Sequence, residues 1–387
     1  MGKREPSRTG LCLALLLALL LAISAYGCTS KTDEPTVSEP ASNDLFAKEP
    51  DKLGSWGQIN QHIKRGAGWQ QIVMDSPFQL GEFKLMNDPD NYAEDYGEVG
   101  YGTYPRIDGS TVAVPMAVEF IRQHLKFSDE DANEFVFFRT THNAYVNLIT
   151  KATDDSAGVG IQRDGEEYMN FMDHKHPVDL LIATEPSADE LALAKRHSVE
   201  LVKKPVCYDA FVFITHKDNP VESLTVDQVR DIYSGKITNW KKVGGKNMAI
   251  TAYQREKNSG SQTAMINLVM QGTPMLPAER LTAVVDMDEL IETVAEYKND
   301  SASIGYSYKY YVDALYKNEN IKILKINDIS PDVKNLRTGS YPFTTCYYGV
   351  IRADDKARTG GLFLDWMLSE EGQRCIKQAG YIPYAEH

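Results

Sequence analysis

The chain has 387 residues, 42% apolar and 25% charged, an ordinary globular composition on a length that exceeds what one hydrophobic core usually supports, so two lobes are expected. Its formal net charge of −13 argues against nucleic acid and anionic lipid as partners. An anion bound by such a molecule must be held by a local arrangement of donors, because the overall field repels it.

In chain order, Lys3, Arg4 and Arg8 precede an apolar run over residues 11–23 that is too short to span a bilayer comfortably, and 1–27 reads as a signal peptide. Its small-residue processing site ends in Ala25-Tyr26-Gly27-Cys28. A cysteine at that place resembles the lipobox of bacterial lipoproteins, in which Cys28 would be lipidated after cleavage, although Tyr26 is unusual there. Cleavage removes three basic and one acidic residue, taking the charge from −13 to −15. Residues 28–50, rich in Ser, Thr, Pro, Asp and Glu, cannot bury enough surface to fold and read as a flexible tether. Residues 51–100 have mixed periodicity and are expected to form an N-terminal extension packed on the first lobe.

From there strand, polar turn and helix alternate. Arg106-Ile-Asp-Gly-Ser-Thr-Val-Ala-Val-Pro115 passes from an extended piece through a small-residue turn into a helix over 116–124. Residues 134–139 read as a strand, Thr140-Thr-His-Asn143 as a turn and 144–150 as a helix. After an insertion at 151–177, a strand over 178–183 runs into Thr184-Glu-Pro-Ser187 and a helix rich in Ala and Leu. A long β-type run covers 206–215, and a helix follows over 225–233 that Ser223 or Thr225 could cap. A strand over 249–253 leads through Gln254-Arg-Glu-Lys-Asn-Ser-Gly-Ser-Gln-Thr263 into a helix over 264–271; 341–352 reads as a returning strand and 362–378 as a closing helix. This grammar implies a parallel-type α/β sheet with its turns gathered at one edge.

Four of these turns, rich in hydroxyls or glycine and opening helices, suit a tetrahedral oxyanion, since helix N-termini present unpaired N–H groups and the positive end of the dipole. Arg255 with Ser259-Gly260-Ser261 is the strongest, because glycine admits close backbone approach and arginine can engage two oxygens. Any single turn is more often an ordinary cap than a ligand site. Recurrence in several turns, joined by an arginine, is what points to a site. Of the cysteines, Cys12 leaves with the signal segment, and Cys207, Cys346 and Cys375 match no metal spacing. A disulfide between two of them and buried free thiols both remain open. His174 and His176 lack a third ligand nearby in sequence and read as part of a solvated loop, so no metal is expected.

Ser234-Gly-Lys-Ile-Thr-Asn-Trp240 followed by Val243-Gly-Gly245 resembles the signature of phosphate-binding proteins of ABC uptake systems, and Val212-Phe-Ile-Thr-His-Lys-Asp-Asn-Pro220 fits the segment before it. Ser303-Ile-Gly-Tyr306, Tyr341-Pro342, Phe363-Leu-Asp-Trp-Met-Leu-Ser-Glu-Glu-Gly372 and Gly380-Tyr381 are similar to later landmarks of that family, so that the likeness runs from about Tyr104 to the end. It implies an α/β type II periplasmic-binding-protein fold, two-lobed, each lobe a mixed sheet flanked by helices, with the ligand cleft between them. Lobe one would comprise 101–208 and 341–387, and lobe two 209–340. Carried over turn by turn, Ser110, Thr111 and the N–H of Val112 would donate from the first turn and Thr141 from the second. Arg255, Ser259, Gly260 and Ser261 would close from lobe two, with Trp240 shaping the lobe surface.

The third turn departs from the pattern. The family ordinarily places there an aspartate that accepts the proton of hydrogen phosphate and repels sulfate. Here Thr184 stands at that position with Glu185 beside it. Either Glu185 or Asp108 takes the acceptor role, or discrimination against sulfate is weakened. Val112 also stands where an aromatic residue is usual.

The resemblance implies a monomeric receptor on the outer face of the bacterial cytoplasmic membrane. It would be tethered by its lipid alone, take inorganic phosphate as ligand and ABC permease subunits as partners, and need no cofactor. No Gly-x-Ser-x-Gly elbow and no Walker pattern is present, so no catalytic residue is assigned. The alternatives are a receptor for sulfate, molybdate or tungstate, a phosphate-sensing or adhesion protein, and, further off, a surface phosphatase.

Overall fold

The computed structural model describes residues 104–385 except 126–127, 130–131, 134–135, 137, 152–159, 164–165, 170–176, 278–282, 285–286, 297–301 and 357. The signal segment, Cys28, the tether, the 51–100 extension, His174 and His176 lie outside the described residues.

Strand β1 (Ile107–Gly109) passes through a short 3-10 turn (Thr111–Ala113) into helix α1 (Val114–Leu125), and α2 (Thr141–Thr150) follows. A hairpin of β2 (Gly160–Arg163) and β3 (Glu166–Met169) precedes β4 (Leu180–Ala183), α3 (Ala188–Arg196) and the long β5 (Leu201–His216). Then come β6 (Ser223–Leu224), α4 (Val226–Tyr233), β7 (Thr251–Ala252), β8 (Gln254–Arg255), α5 (Gly260–Ala264), β9 (Ala283–Val284), α6 (Met287–Glu296) and β10 (Ser303–Tyr308). The remaining elements are β11 (Ile321–Ile323), β12 (Lys325–Ile326), α7 (Val333–Arg337), β13 (Thr344–Arg352), α8 (Thr359–Met367), α9 (Glu370–Gln378) and β14 (Ile382–Pro383).

The main sheet has the order β1-β4-β13-β5-β10-β7, with β11 and β14 also paired to β5. Mixed pairing follows from the connections: β1 and β4 run parallel, as do β7 and β10, while β13 and β10 run antiparallel to β5. Strand β5 is the hub. Its residues 201–210 pair with β13, and the ladder changes partner at the next residue, where Phe211 faces Tyr308 of β10. One continuous strand therefore joins the two halves of the sheet.

Pro205 interrupts β5 without ending it. Proline has no N–H to give the ladder, and the register slips there, with Tyr347 opposite Cys207 and Tyr348 opposite Pro205, so that Val206 is the extra residue of a bulge. The Val206 carbonyl, freed by the bulge, accepts from Gln373 Nε2 at 3.0 Å and from the Tyr384 N–H at 3.3 Å, which ties the C-terminal segment to the hub.

Period-two alternation explains why β4 is apolar throughout. Leu180 and Ile182 enter the main core, and Leu181 and Ala183 enter a second cluster with Ala144, Tyr145, Leu148 and Ile149 of α2, so the strand is buried on both faces. On the other side of the sheet Phe120 meets Phe363 and Trp366 edge to face and locks α1 to α8, with ring centroids 5.3 Å apart for Phe120 and Trp366.

Several local expectations change. Among the described residues of 134–139, none lies in a strand, and the Arg139 N–H goes to the Asp108 carboxylate instead of a ladder. The helix after Ser259 begins earlier and turns into a π-helical stretch over Met265–Met270. The closing helix is two helices, because Ser369 caps a fresh start by accepting the Gly372 N–H at 3.2 Å. Thr225 caps α4 in a reciprocal capping box with Gln228. Trp240 is fully buried and donates its Nε1–H to the Ala302 carbonyl at 2.8 Å, which makes it a core residue and not a surface-shaping one. Cys207, Cys346 and Cys375 are free thiols; Cys207 lies opposite Tyr347 and Cys346 opposite Tyr208, one register apart, so the two point to opposite faces.

Candidate functional site

Because β1 and β4 are parallel, their C-terminal ends deliver the first and third turns to one edge of the sheet. The two are in contact. A Cβ on Gly109 would sit 2.1 Å from the Ile182 carbonyl oxygen, so only glycine fits, and the next N–H, of Ser110, donates to that carbonyl at 3.0 Å. Ser110 and Val112 are buried, Thr111 is half-buried, and the Ser110 side chain makes no cap bond to the turn it opens. The Val112 carbonyl accepts the Tyr381 O–H at 2.6 Å, which fixes the turn from the C-terminal side.

The second turn is bound to the first through Asp108, whose Oδ1 accepts the N–H of Gly109 at 2.7 Å and that of Arg139 at 2.8 Å. Beyond Arg139 the backbone turns sharply, with Thr140 at φ 81°, and Thr141, buried, is the first residue of α2. In the third turn Thr184 is buried, and its carbonyl accepts the Tyr145 O–H at 2.7 Å.

The fourth turn completes the group. A Cβ on Gly260 would lie 2.7 Å from Thr184 Oγ1 and 2.8 Å from Thr141 Oγ1, so two hydroxyls from one half of the sheet face the bare Cα of a loop from the other. Ser259 caps α5, its Oγ accepting the Gln262 N–H at 3.2 Å. Ser261 Oγ is buried without a hydrogen bond, and Thr184 Oγ1, beside the Tyr308 hydroxyl, makes none of ordinary geometry. Buried hydroxyls left open in this way are rare and call for an explanation.

A tyrosine pair on β10 braces that loop. Tyr306 and Tyr308 stand two residues apart and share a face of the strand. The Tyr306 hydroxyl accepts the Arg255 N–H at 2.9 Å and donates to Gln262 Oε1, which also accepts the Arg255 N–H, at 3.2 Å. Tyr308 donates to the Gly260 carbonyl at 3.1 Å. Burial pushes both phenols above their ordinary range, and the Arg255 charge opposes it at each.

The carboxylates divide in role. Glu185 pairs with Lys203 of β5 on a half-exposed flank, so it is not gathered with Thr141, Thr184 and Gly260. Asp108 is fully buried, and burial raises its pKa to about 6 against the opposing pull of Arg139 and of the two N–H groups it accepts. Its Oδ2 is buried without a hydrogen bond. The gathered groups are thus donor-rich, from hydroxyls, helix starts and a guanidinium residue, an arrangement chemically suited to an oxyanion.

Tyr306, Tyr308, Gln262 and Tyr381 escaped sequence reasoning as working residues. The signal was present for one pair, since Tyr-x-Tyr ending a β-type run puts two hydroxyls on one face at the strand end.

A model of the PBP superfamily domain matches residues 107–371. The phosphate-binding protein PstS of Bacillus subtilis is 30% identical over 192 residues, 48% of this chain and 59% of that protein, so the alignment spans less than two thirds of it. The phosphate-binding protein PstS of Borreliella burgdorferi is 23% identical over 282 residues, covering 71% of this chain and 88% of that one. Among solved structures, a phosphate ABC transporter substrate-binding protein with bound phosphate from Clostridium perfringens matches with a TM-score of 0.51 at 25% identity, over 72% of this chain and 98% of that one. The matched span runs from β1 into α9 and carries all four turns; the chain belongs to the PBP superfamily, with its type II fold.

Proposed function

We propose that this protein is an extracytoplasmic receptor that captures inorganic phosphate and presents it to an ABC uptake transporter. The observation that carries the reading is the apposition of Gly260 to the Thr141 and Thr184 hydroxyls, which converges turns from both sides of β5 on one donor-rich point. The names of the similar proteins from Bacillus and Borreliella agree with it. In this reading 101–208 with 341–387 forms one lobe and 209–340 the other, and β5 is the strand about which they move. The open lobes admit the anion, Ser110, Thr111, the Val112 N–H, Thr141 and Thr184 hold it, and Arg255, Ser259, Gly260 and Ser261 complete the shell on closure. Closure follows from tighter binding to the closed state. Lipidation at Cys28 keeps the monomeric receptor at the outer membrane face beside its permease subunits.

Glu185 is already neutralised by Lys203, so the third turn offers the Thr184 hydroxyl, which can either accept a hydrogen bond from the O–H of hydrogen phosphate or donate one to an unprotonated oxyanion. A hydroxyl that serves both anions weakens the exclusion of sulfate, and the assignment of phosphate as the preferred ligand is supported by the similarity to phosphate-binding proteins. Equilibrium titration with phosphate, in competition with sulfate and molybdate, tests this. Phosphate should bind tightest with measurable competition from sulfate, and tighter binding of sulfate than of phosphate would overturn the assignment.

A further inference from the structure

The turns around Gly260 are fastened from outside by a second polar group. Helix α3 opens with a reciprocal cap, in which Ser187 Oγ accepts the Glu190 N–H at 3.3 Å and Glu190 Oε2 accepts the Ser187 N–H at 2.7 Å. The other carboxylate oxygen of buried Glu190 lies 2.8 Å from Nδ1 of His142, the residue after Thr141. The starts of α2 and α3 are thereby stapled together.

Asp189, next to Glu190, reaches across to the anion loop. Its Oδ2 accepts from Asn258 Nδ2 at 2.8 Å and lies 2.7 Å from Lys257 Nζ. Lys257 and Asn258 immediately precede Ser259-Gly260-Ser261. Asn258 holds φ 67°, in a turn closed by the Ser259 N–H donating to the Glu256 carbonyl at 3.2 Å. Asparagine tolerates that left-handed conformation better than most residues, and the Asp189 contact gives it an outside anchor. The bonds from Lys257 and then Asn258 hold the Asp189 carboxyl below its ordinary range.

We infer that Asp189 is a positioning residue for anion capture: with Lys257 and Asn258 it forms a clasp that holds the turn of Ser259, Gly260 and Ser261 against Thr141 and Thr184. The inference rests on the receptor reading. The clasp lies at the exposed mouth, with side-chain exposures of 47% for Asp189 and 78% for Lys257, so solvent screens it. It touches no position assigned to the anion. Because it joins the two lobes it is made only on closure, after the anion has entered, so its effect falls on release more than on association.

The test compares Asp189→Ala, Lys257→Ala and the double variant. Phosphate release, followed by stopped flow, should be about three- to tenfold faster in Asp189→Ala, the scale of a lost exposed ion pair with its hydrogen bond, while the association rate stays within about twofold. The double variant should release no faster than Asp189→Ala alone, a coupling that general loosening would not give. Equal release in all forms, or additive effects of the two substitutions, overturns the clasp. Amide exchange of residues 257–261 at saturating phosphate, where the lobes are closed, supplies the independent arm: faster exchange in Asp189→Ala supports the clasp, and unchanged exchange overturns it. Absence of phosphate binding by the unaltered protein would overturn the receptor reading and the clasp with it, whereas tight phosphate binding with unchanged release and exchange in Asp189→Ala would overturn the clasp alone.

Discussion

At the scale of single residues, the proposed site turns on Arg255 and Gly260. In the proposed site Arg255 would supply the charge that answers an anion, in a loop whose backbone is pinned by Tyr306 and Gln262 so that the guanidinium stem starts from a fixed point. Arg255→Ala should weaken phosphate binding by about 1.5–3 kcal/mol, the range for hydrogen bonds to charged groups, and Arg255→Lys should recover part of it by restoring charge without the planar fork. Calorimetric titration of both variants checks this. Gly260→Ala acts by space alone: the new methyl would meet Thr184 Oγ1 at 2.7 Å and Thr141 Oγ1 at 2.8 Å, inside ordinary contact distance. Closure should be blocked, so phosphate affinity should fall sharply while the thermal midpoint of the ligand-free protein changes little. A phosphate affinity equal to that of the unaltered protein would separate Gly260 from the site.

At the scale of elements, β10 is the scaffold of the loop that carries Arg255 and Gly260. Removing one hydroxyl with Tyr308→Phe leaves the buried Gly260 carbonyl without its donor, which should cost about 1 kcal/mol in phosphate affinity, read as a roughly fivefold weaker titration with secondary structure intact. The turns themselves are legible from sequence because small hydroxyl residues follow apolar runs; that pattern singles out Ser259, Gly260 and Ser261 with Arg255, while Thr141 and Thr184 come from the family resemblance. The brace was not, because Tyr308 meets Gly260 from 48 residues away and no local period encodes the meeting. Glu185 stayed open for the same reason, since its partner Lys203 lies on another element. The start of β5 is also hidden: the β-type run begins at Val206, and only the bulge opposite Tyr347 and Tyr348 lets the strand extend back through Pro205 to Leu201. The closing helix reads as one because its apolar spacing persists across Ser369, whose side-chain cap on the Gly372 N–H starts a second helix without breaking that spacing.

At the scale of the whole molecule, two buried acids couple the fold to pH. Burial is the leading cause that raises Asp108 to about 6 and Asp209, in β5 where it changes partner, to about 7. A raised carboxyl binds its proton more tightly folded than unfolded, so its stabilisation is complete below the unfolded value and is lost as pH rises through the folded one. Asp189, Asp332 and Asp354, whose values are lowered, act oppositely and only in more acid solution. The thermal midpoint should therefore be higher at about pH 5 than at about pH 8, by several degrees, and Asp209→Asn should flatten that slope by raising the alkaline midpoint. Scanning calorimetry across that range reads it directly; a midpoint that rises with pH would contradict it. Both acids sit beneath the same sheet edge or hinge strand that the receptor reading needs, and capture is the claim on which the rest depends. Isothermal titration of the unaltered protein with phosphate tests it most directly. Saturable heat at one anion per chain with phosphate preferred over sulfate is expected; no heat with phosphate, or tighter binding of sulfate, would overturn the receptor reading.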